Sequence, residues 1–279
     1  MSNIKLANDA FTPRKQVSLL LEMIRTDFKL RYQESALGYI WSLLKPMLLF
    51  AIIYSVFTQF LRIGAGTPNY AQSLLLAIIF WNFFTEATSR SLKSIAGNGN
   101  LIRKIYIPRY LIPLSVIISA AINLAINLLI VFAIVFIFHN NNTALGLHSI
   151  ILFPLLVIEI LAITGAFSYF LAAVYVKFRD IDHIWEVVRQ ALFYGTPIIY
   201  PLTRIPDNYI IVRKLIMINP LSQTIQDMRH VITYAGSTTI GDVYGEGYIR
   251  AIPIIASALL LYLSVRYFIK KSVYFAENV

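Results

Sequence analysis

Long apolar runs dominate the hydrophobic pattern of this chain. A helix that crosses the hydrocarbon core of a bilayer needs about 20 apolar residues at a rise of about 1.5 Å each. Five runs are present, and each is long enough to span except the second, residues 70–84, which needs the four residues after it. The runs occupy residues 37–61, 70–84, 110–138, 150–176 and 251–269. The pattern therefore predicts an all-α membrane protein.

A shorter apolar stretch, residues 187–202, is interrupted by Gly195, Pro197 and Pro201. These residues make a continuous helix across the bilayer doubtful, because proline removes a backbone donor and clashes with the preceding turn. We interpret the stretch as a broken span, the fifth of six. With six spans, both ends of the chain lie on the same side of the membrane.

The distribution of lysine and arginine indicates which side that is. Basic residues gather before the first span, after the second and fourth spans, and in the tail. The first outer loop has only Arg62, and the second has no Lys or Arg. Residues 203–250 hold Arg204, Arg213, Lys214 and Arg229, but long loops carry little weight in the positive-inside rule. Both termini are predicted to be cytoplasmic, and the net charge of +10 requires no nucleic-acid partner.

Composition supports a membrane protein and argues against a soluble enzyme. Apolar residues make up 58% of the 279 and charged residues 14%, whereas soluble domains have about 25% charged residues. Cysteine is absent, which excludes disulfides and thiolate metal sites. The first 36 residues lack the apolar centre of a cleavable signal peptide.

Two segments on the cytoplasmic side have amphipathic character. Residues 14–34 repeat apolar residues at helical spacing, which favours a helix in the headgroup plane over a cytosolic helix packed on a partner. Residues 92–109 combine aliphatic and basic residues without an acid, and a turn at residues 97–100 precedes the aliphatic ones. This pattern predicts a short helix that docks onto a cytoplasmic partner, although binding to lipid headgroups explains the same cations.

The outer segment between spans five and six predicts two short helices, residues 209–218 and 221–234. Asn219 and Pro220 supply an N-cap and a first-turn proline between them. The pair is predicted either to close the exit as an outer gate or to rest on the bundle as an ordinary loop. The gate residues would be Tyr209, Leu221, Ile225 and Met228.

No constellation of catalytic or metal-binding residues is visible in the sequence. Glu86 and Glu159 are the acidic residues within or beside apolar spans. A solvated or ion-paired carboxylate suits Glu86 better than a functional role, and Glu159 suits subunit packing or transport equally. Asn123 and Asn127 are predicted to hydrogen-bond between helices. The chain has no G-x-x-x-x-G-K-[ST] loop to bind nucleotide phosphates, so ATP-driven transport would need a separate ATPase.

Aromatic residues recur inside the first and fifth spans. An aromatic-lined path suits sugars, because their apolar ring faces stack on aromatic rings; packing against lipid is the other explanation. The residues of this candidate substrate path are Trp41, Phe50, Tyr54, Phe57, Phe193, Tyr194 and Tyr200.

Residues 31–46, with the sequence RYQESALGYIWSLLKP, resemble the entry to the first span in permeases of ABC-type polysaccharide exporters. These permeases move O-antigen, capsule or teichoic acid chains. Further similar motifs follow in the same order along the chain. They are Leu101-Ile102-Arg103-Lys104 with Ile107-Pro108, Phe178-Arg179-Asp180-Ile181, Thr196-Pro197-Ile198-Ile199-Tyr200 and Asn219-Pro220. Lys45 departs from the apolar residue expected at its position.

The resemblance implies a single transmembrane domain over residues 1–279, divided into a cytoplasmic amphipathic helix (1–36), a six-span bundle (37–269) and a cytoplasmic tail (270–279). It implies a homodimer in the bacterial cytoplasmic membrane, with two copies of a separate ATPase that binds ATP and magnesium. The substrate would be a glycan on an undecaprenyl-type lipid, moved along the first and fifth spans. The implied ATPase-docking residues are Arg25, Arg31, Glu34, Lys93, Leu101, Ile102, Arg103 and Lys104.

Two other classes remain open at this point. A drug or small-lipid exporter of the same superfamily shares the span count but should lack a continuous aromatic path. A secondary carrier or a membrane-embedded transferase is a more distant alternative. A carrier usually has inverted repeats, which are not visible in the sequence, and a transferase needs clustered acids or histidines.

Overall fold

The computed structural model describes residues 12–32, 38–64, 66–104, 107–138, 144, 146–245, 249 and 251–275, and every regular element in these ranges is helical. We number the helices in chain order. They are α1 (Pro13–Tyr32), α2 (Trp41–Tyr54), α3 (Tyr70–Gly97), α4 (Gly99–Lys104), α5 (Leu111–Ile137), α6 (Leu147–Lys177), α7 (Ile181–Gly195), α8 (Ile210–Ile218), α9 (Pro220–Met228), α10 (Ile240–Tyr244) and α11 (Ala251–Ser272). The predicted all-α class is confirmed for the described residues.

Among the described residues, four helical segments are long and apolar enough to cross a membrane. They are Gly38–Phe60, which contains α2, and Leu111–Ile137, His148–Lys177 and Ala251–Ser272. Each coincides with one of the apolar runs in the sequence.

Helix α3 lies at the centre of the bundle. It has 28 residues, or about 42 Å of helix at about 1.5 Å per residue, and it packs against α2, α5 and α6. Most of its residues are buried, including the polar Gln72 and Ser73. Polar residues are tolerated in α3 because neighbouring helices surround it, and they explain why its apolar run is the weakest in the sequence.

Helices α5 and α6 complete the core around α3, and α11 packs along α6. The span that contains α2 differs from them, since 6% of the residues in its most apolar stretch are buried, compared with 39% in both α5 and α6. Leu48, Ile52, Val56 and Phe60 follow one another at intervals of four residues, and all are exposed. The first span therefore lies at the edge of the bundle and leaves an apolar face uncovered.

The predicted break in the chain near Gly195 is confirmed. Helix α7 ends at Gly195, and the backbone stays irregular until a short turn at Leu202–Arg204. Helices α8 and α9 follow, and the Asn219 side chain accepts a hydrogen bond from the Leu221 amide at 3.1 Å, as expected for an N-cap. Beyond Met228, the predicted second helix continues as wider turns over Arg229–Thr233.

The two predicted cytoplasmic segments contain helices α1 and α4 among their described residues. Helix α1 packs on α5, with Ile24 buried while Val17 and Leu21 remain exposed. The Tyr110 hydroxyl donates to the Gln16 side chain at 2.7 Å and fixes α1 to the start of α5. Helix α4 is anchored by Ile102, which is buried.

Candidate functional site

A cavity of about 600 Å³ opens between α2, α3 and α5, beside the end of α1. Trp41 and Lys45 line it from α2, Glu86 and Arg90 from α3, and Asn123 from α5; other polar and apolar side chains complete the wall. Of the predicted substrate-path residues, Trp41 lies in this wall and has an exposed ring.

Four charged side chains join α1 to α3 beside the cavity. Arg31 Nη1 lies 2.5 Å from Glu86 Oε1, and Arg90 pairs with Asp27 and, at 3.7 Å, with Glu86. Burial raises the pKa of the Asp27 carboxyl, while the positive charge of Arg31 opposes that rise. The network confirms the ion-paired interpretation of Glu86.

The two asparagines of α5 bond between helices as predicted. Asn123 Nδ2 donates to Glu86 Oε1 of α3 at 3.4 Å, and Asn127 Nδ2 donates to the Ser42 carbonyl of α2 at 3.3 Å. Asn127 thus ties the first span to α5, and Asn123 ties α5 to α3, along the wall of the cavity.

The irregular segment after α7 is supported by Arg229, which is 4% exposed. Its guanidinium donates to three backbone carbonyls: Pro197 at 2.6 Å, Ile198 at 2.6 Å and Ser73 at 3.2 Å. It also donates to the Gln226 side chain at 2.8 Å. Backbone carbonyls without helical partners at membrane depth must be satisfied by protein or water, and here the protein satisfies them.

Sequence reasoning missed this role and counted Arg229 only as an outer-loop charge. The available signal was its position, directly after the apolar stripe of the second outer helix, where an unpaired cation would be costly. Tyr70 reinforces the same segment, because its hydroxyl donates to the Ile199 carbonyl at 2.6 Å.

The predicted path aromatics fall into two groups. In α2 and the turn after it, the rings of Phe50 and Tyr54 stack with their centroids 5.5 Å apart. Phe50, Tyr54 and Phe57 are all half-buried against the core. Near the break, the ring centroid of Phe193 lies 5.4 Å from that of Trp81 and 5.3 Å from that of Tyr194. Tyr194 is 64% exposed, and the Tyr200 hydroxyl donates to its carbonyl at 3.2 Å.

The predicted ATPase-docking residues differ in accessibility. Arg25, Arg103 and Lys104 are exposed, and Lys93 pairs with Asp182 of α7 at 2.6 Å. Leu101 is half-buried, Ile102 is buried, and the Arg31 side chain is 17% exposed within the α1–α3 network. Glu34 lies outside the described residues.

The predicted gate residues divide between surface and core. Tyr209 is exposed, whereas Leu221, Ile225 and Met228 are buried in the main apolar core. The apolar stripe of α9 therefore faces the inside of the same subunit, and α9 packs against α3, α6 and α11.

Glu159 of α6 is 2% exposed and interacts electrostatically with Asp227, Gln223 and Thr224 of α9. Gln223 Nε2 donates to Asp227 Oδ2 at 2.5 Å. This position inside one subunit disfavours the predicted role of Glu159 in packing between subunits. Within the described ranges, no group of three or more His, Cys, Asp or Glu residues is arranged to hold a metal ion.

Comparison with known proteins identifies the family. Residues 18–233 match the ABC-2 type transporter family. An O-antigen export system permease protein of Myxococcus xanthus is 27% identical over 204 residues, which is 73% of this chain and 75% of the relative. A protein of Klebsiella pneumoniae with the same description is 28% identical over 213 residues, 76% of this chain and 79% of the relative. Since the family match covers most of the bundle, the chain belongs to the ABC-2 type transporter family of membrane proteins.

Proposed function

We propose that this chain is the channel-forming permease subunit of an ATP-driven exporter that moves a lipid-linked polysaccharide across the cytoplasmic membrane. The observation that carries the proposal is the similarity to O-antigen export permeases over about three quarters of both chains. Three of the motifs that resemble polysaccharide exporters belong to distinct parts of the fold: the loop with α4, the break after α7 and the cap of α9.

The proposed topology has six spans, with α3 as the second and α7 with the irregular segment as the fifth. Both termini face the cytoplasm, which puts α1 and α4 on the side where a soluble ATPase can bind. Two copies of the chain pair with two copies of that ATPase, which binds ATP and magnesium. The first and fifth spans line the path, with Trp41 and Tyr194 as its exposed aromatics.

The test is depletion of the chain in cells that make the polysaccharide, followed by complementation. We expect lipid-linked glycan to accumulate in the cytoplasmic leaflet and surface glycan to disappear. Complementation with Tyr194→Ala should restore export to a lower rate at normal protein abundance, because an exposed ring that stacks on sugar is removed without loss of core packing. Tyr194→Phe, which keeps the ring, is the matched control and should export normally.

The alternative, a drug or small-lipid exporter of the same superfamily, makes a different prediction. Depletion would then change drug susceptibility or lipid composition and leave surface glycan intact. That result would overturn the polysaccharide assignment.

A further inference from the structure

The cavity between α2, α3 and α5 has an excess of positive charge. Its wall contains Arg31, Lys45, Arg90 and Arg189, but a single carboxylate, Glu86. Arg31 and Arg90 share Glu86, and Arg90 also pairs with Asp27, just outside the cavity. The two carboxylates therefore balance the charges of Arg31 and Arg90.

Lys45 and Arg189 carry the remaining two positive charges. Among the described residues, neither has a carboxylate within 4.0 Å, and Arg189 Nε is buried without a hydrogen-bond partner. Cations at the edge of a bilayer are costly when they are not paired. The charge of Lys45 reaches Glu86, the carboxylate that Arg31 and Arg90 already share. The cavity wall thus carries two more positive charges than Glu86 and Asp27 together can balance.

We propose that this cavity binds the phosphate headgroup of a lipid, with Lys45 and Arg189 as its principal cationic contacts. A phosphate or diphosphate group supplies the one or two negative charges that the wall lacks, and guanidinium and ammonium groups bind phosphate oxygens through charge-assisted hydrogen bonds. The volume of about 600 Å³ falls in the range of ligand sites, about 300–1,000 Å³. Apolar wall residues such as Phe83 and Leu124 suit the start of an acyl or prenyl chain.

The inference rests on the proposed function, since a lipid-linked glycan that enters from the cytoplasmic leaflet carries such a headgroup. An anionic phospholipid of that leaflet has the same chemistry.

The experiment uses the purified complex of this chain with its ATPase, in a neutral detergent, without glycan or ATP. Native mass spectrometry measures the affinity for undecaprenyl phosphate, phosphatidylglycerol and, as an uncharged control, undecaprenol. We expect both phosphate lipids to bind more tightly than undecaprenol. Lys45→Met and Arg189→Met should each weaken phosphate-lipid binding about tenfold, the loss of one charge-assisted contact.

Two further variants keep the test decisive. Lys45→Arg retains the charge and should bind nearly as well as the wild type, and Lys29→Met, which removes an exposed cation of α1, should have no effect. Stronger binding of undecaprenyl phosphate would identify the carrier lipid as the occupant; equal binding of both phosphate lipids would indicate recognition of the headgroup alone.

Equal binding of undecaprenol, or unchanged affinity in both Lys45→Met and Arg189→Met, would overturn the proposal. Because the assay contains no glycan and no transport step, that outcome would leave the export assignment intact. Conversely, loss of the export assignment in the depletion test would leave a measured phosphate-lipid site in place.

Discussion

Arg229 illustrates how one side chain can replace missing helical hydrogen bonds. The irregular segment after α7 leaves the carbonyls of Pro197 and Ile198 without helical partners, and the planar guanidinium reaches both at 2.6 Å while also bonding to Ser73 of α3. A lysine has the same charge, but its single nitrogen cannot span three separated acceptors. Arg229 therefore joins the break, α3 and the segment after α9 through one side chain.

The first prediction is that Arg229→Met destabilises the protein by about 3 kcal/mol, because each buried carbonyl left unpaired costs about 1–3 kcal/mol. For a chain of this size the melting temperature should fall by about 6 to 12 °C. Thermal unfolding in detergent is the measurement, and Arg25→Met, at a side chain that is 81% exposed, is the control. Arg229→Lys should be intermediate. A melting temperature unchanged in Arg229→Met would mean that water, and not this side chain, satisfies the segment.

At the scale of elements, the short helix α4 combines an anchor with an exposed charged surface. Ile102 is buried in a cluster with Ile95 and Ile112, so it fixes the helix to the bundle. Arg103 and Lys104 point away from that cluster and are exposed. A substitution at Ile102 would thus disturb packing, whereas the two cations are free to contact a partner.

The second prediction is that Arg103→Glu with Lys104→Glu uncouples ATP hydrolysis from export, because the reversed charges repel an acidic partner surface. Export should fall about tenfold or more, the effect of losing at least about 1.4 kcal/mol of interaction. Protein abundance should not change, since both side chains are exposed. Surface glycan and ATPase activity of the complex are the measurements, and Lys270→Glu on the exposed end of α11 is the control. Normal export in the double variant would show that docking uses other residues.

The elements followed from sequence wherever periodicity or local chemistry determined them. Apolar runs located the long helices, and Asn219-Pro220 located the start of α9. The environment of α9 could not be predicted, because an apolar stripe indicates that one face is buried and does not reveal the surroundings of the other. Gln223 and Asp227 lie off that stripe and are buried as well, facing Glu159. The contacts of Arg229 were equally inaccessible, since they join it to carbonyls 31, 32 and 156 positions away along the chain.

At the scale of the whole molecule, the first span is the least complete part of the bundle. It lies at the edge of one subunit with its apolar stripe exposed. Helix α7, in the proposed fifth span, also exposes apolar side chains, among them Ile184, Val187 and Tyr194. An apolar face at membrane depth must meet lipid or another helix. We expect the first span of one copy to lie against the fifth span of the other in the proposed homodimer, so that the two spans enclose the path.

The last prediction is that Leu48→Cys on one copy cross-links to Ala191→Cys on the other. Both positions are exposed, and each lies ten residues after the start of its helical segment, Gly38 and Ile181, so the two lie at similar depth if both segments start at the cytoplasmic surface. The natural chain has no cysteine, so a short bis-maleimide can react only at the introduced sites. Two copies with different tags should give a covalent heterodimer in membranes.

The control pairs Leu48→Cys with Tyr262→Cys, an exposed position ten residues before the end of α11, and should give no heterodimer. Equal cross-linking of both pairs would indicate random collision, and cross-linking of the control alone would place α11, instead of α7, against the first span of the second copy.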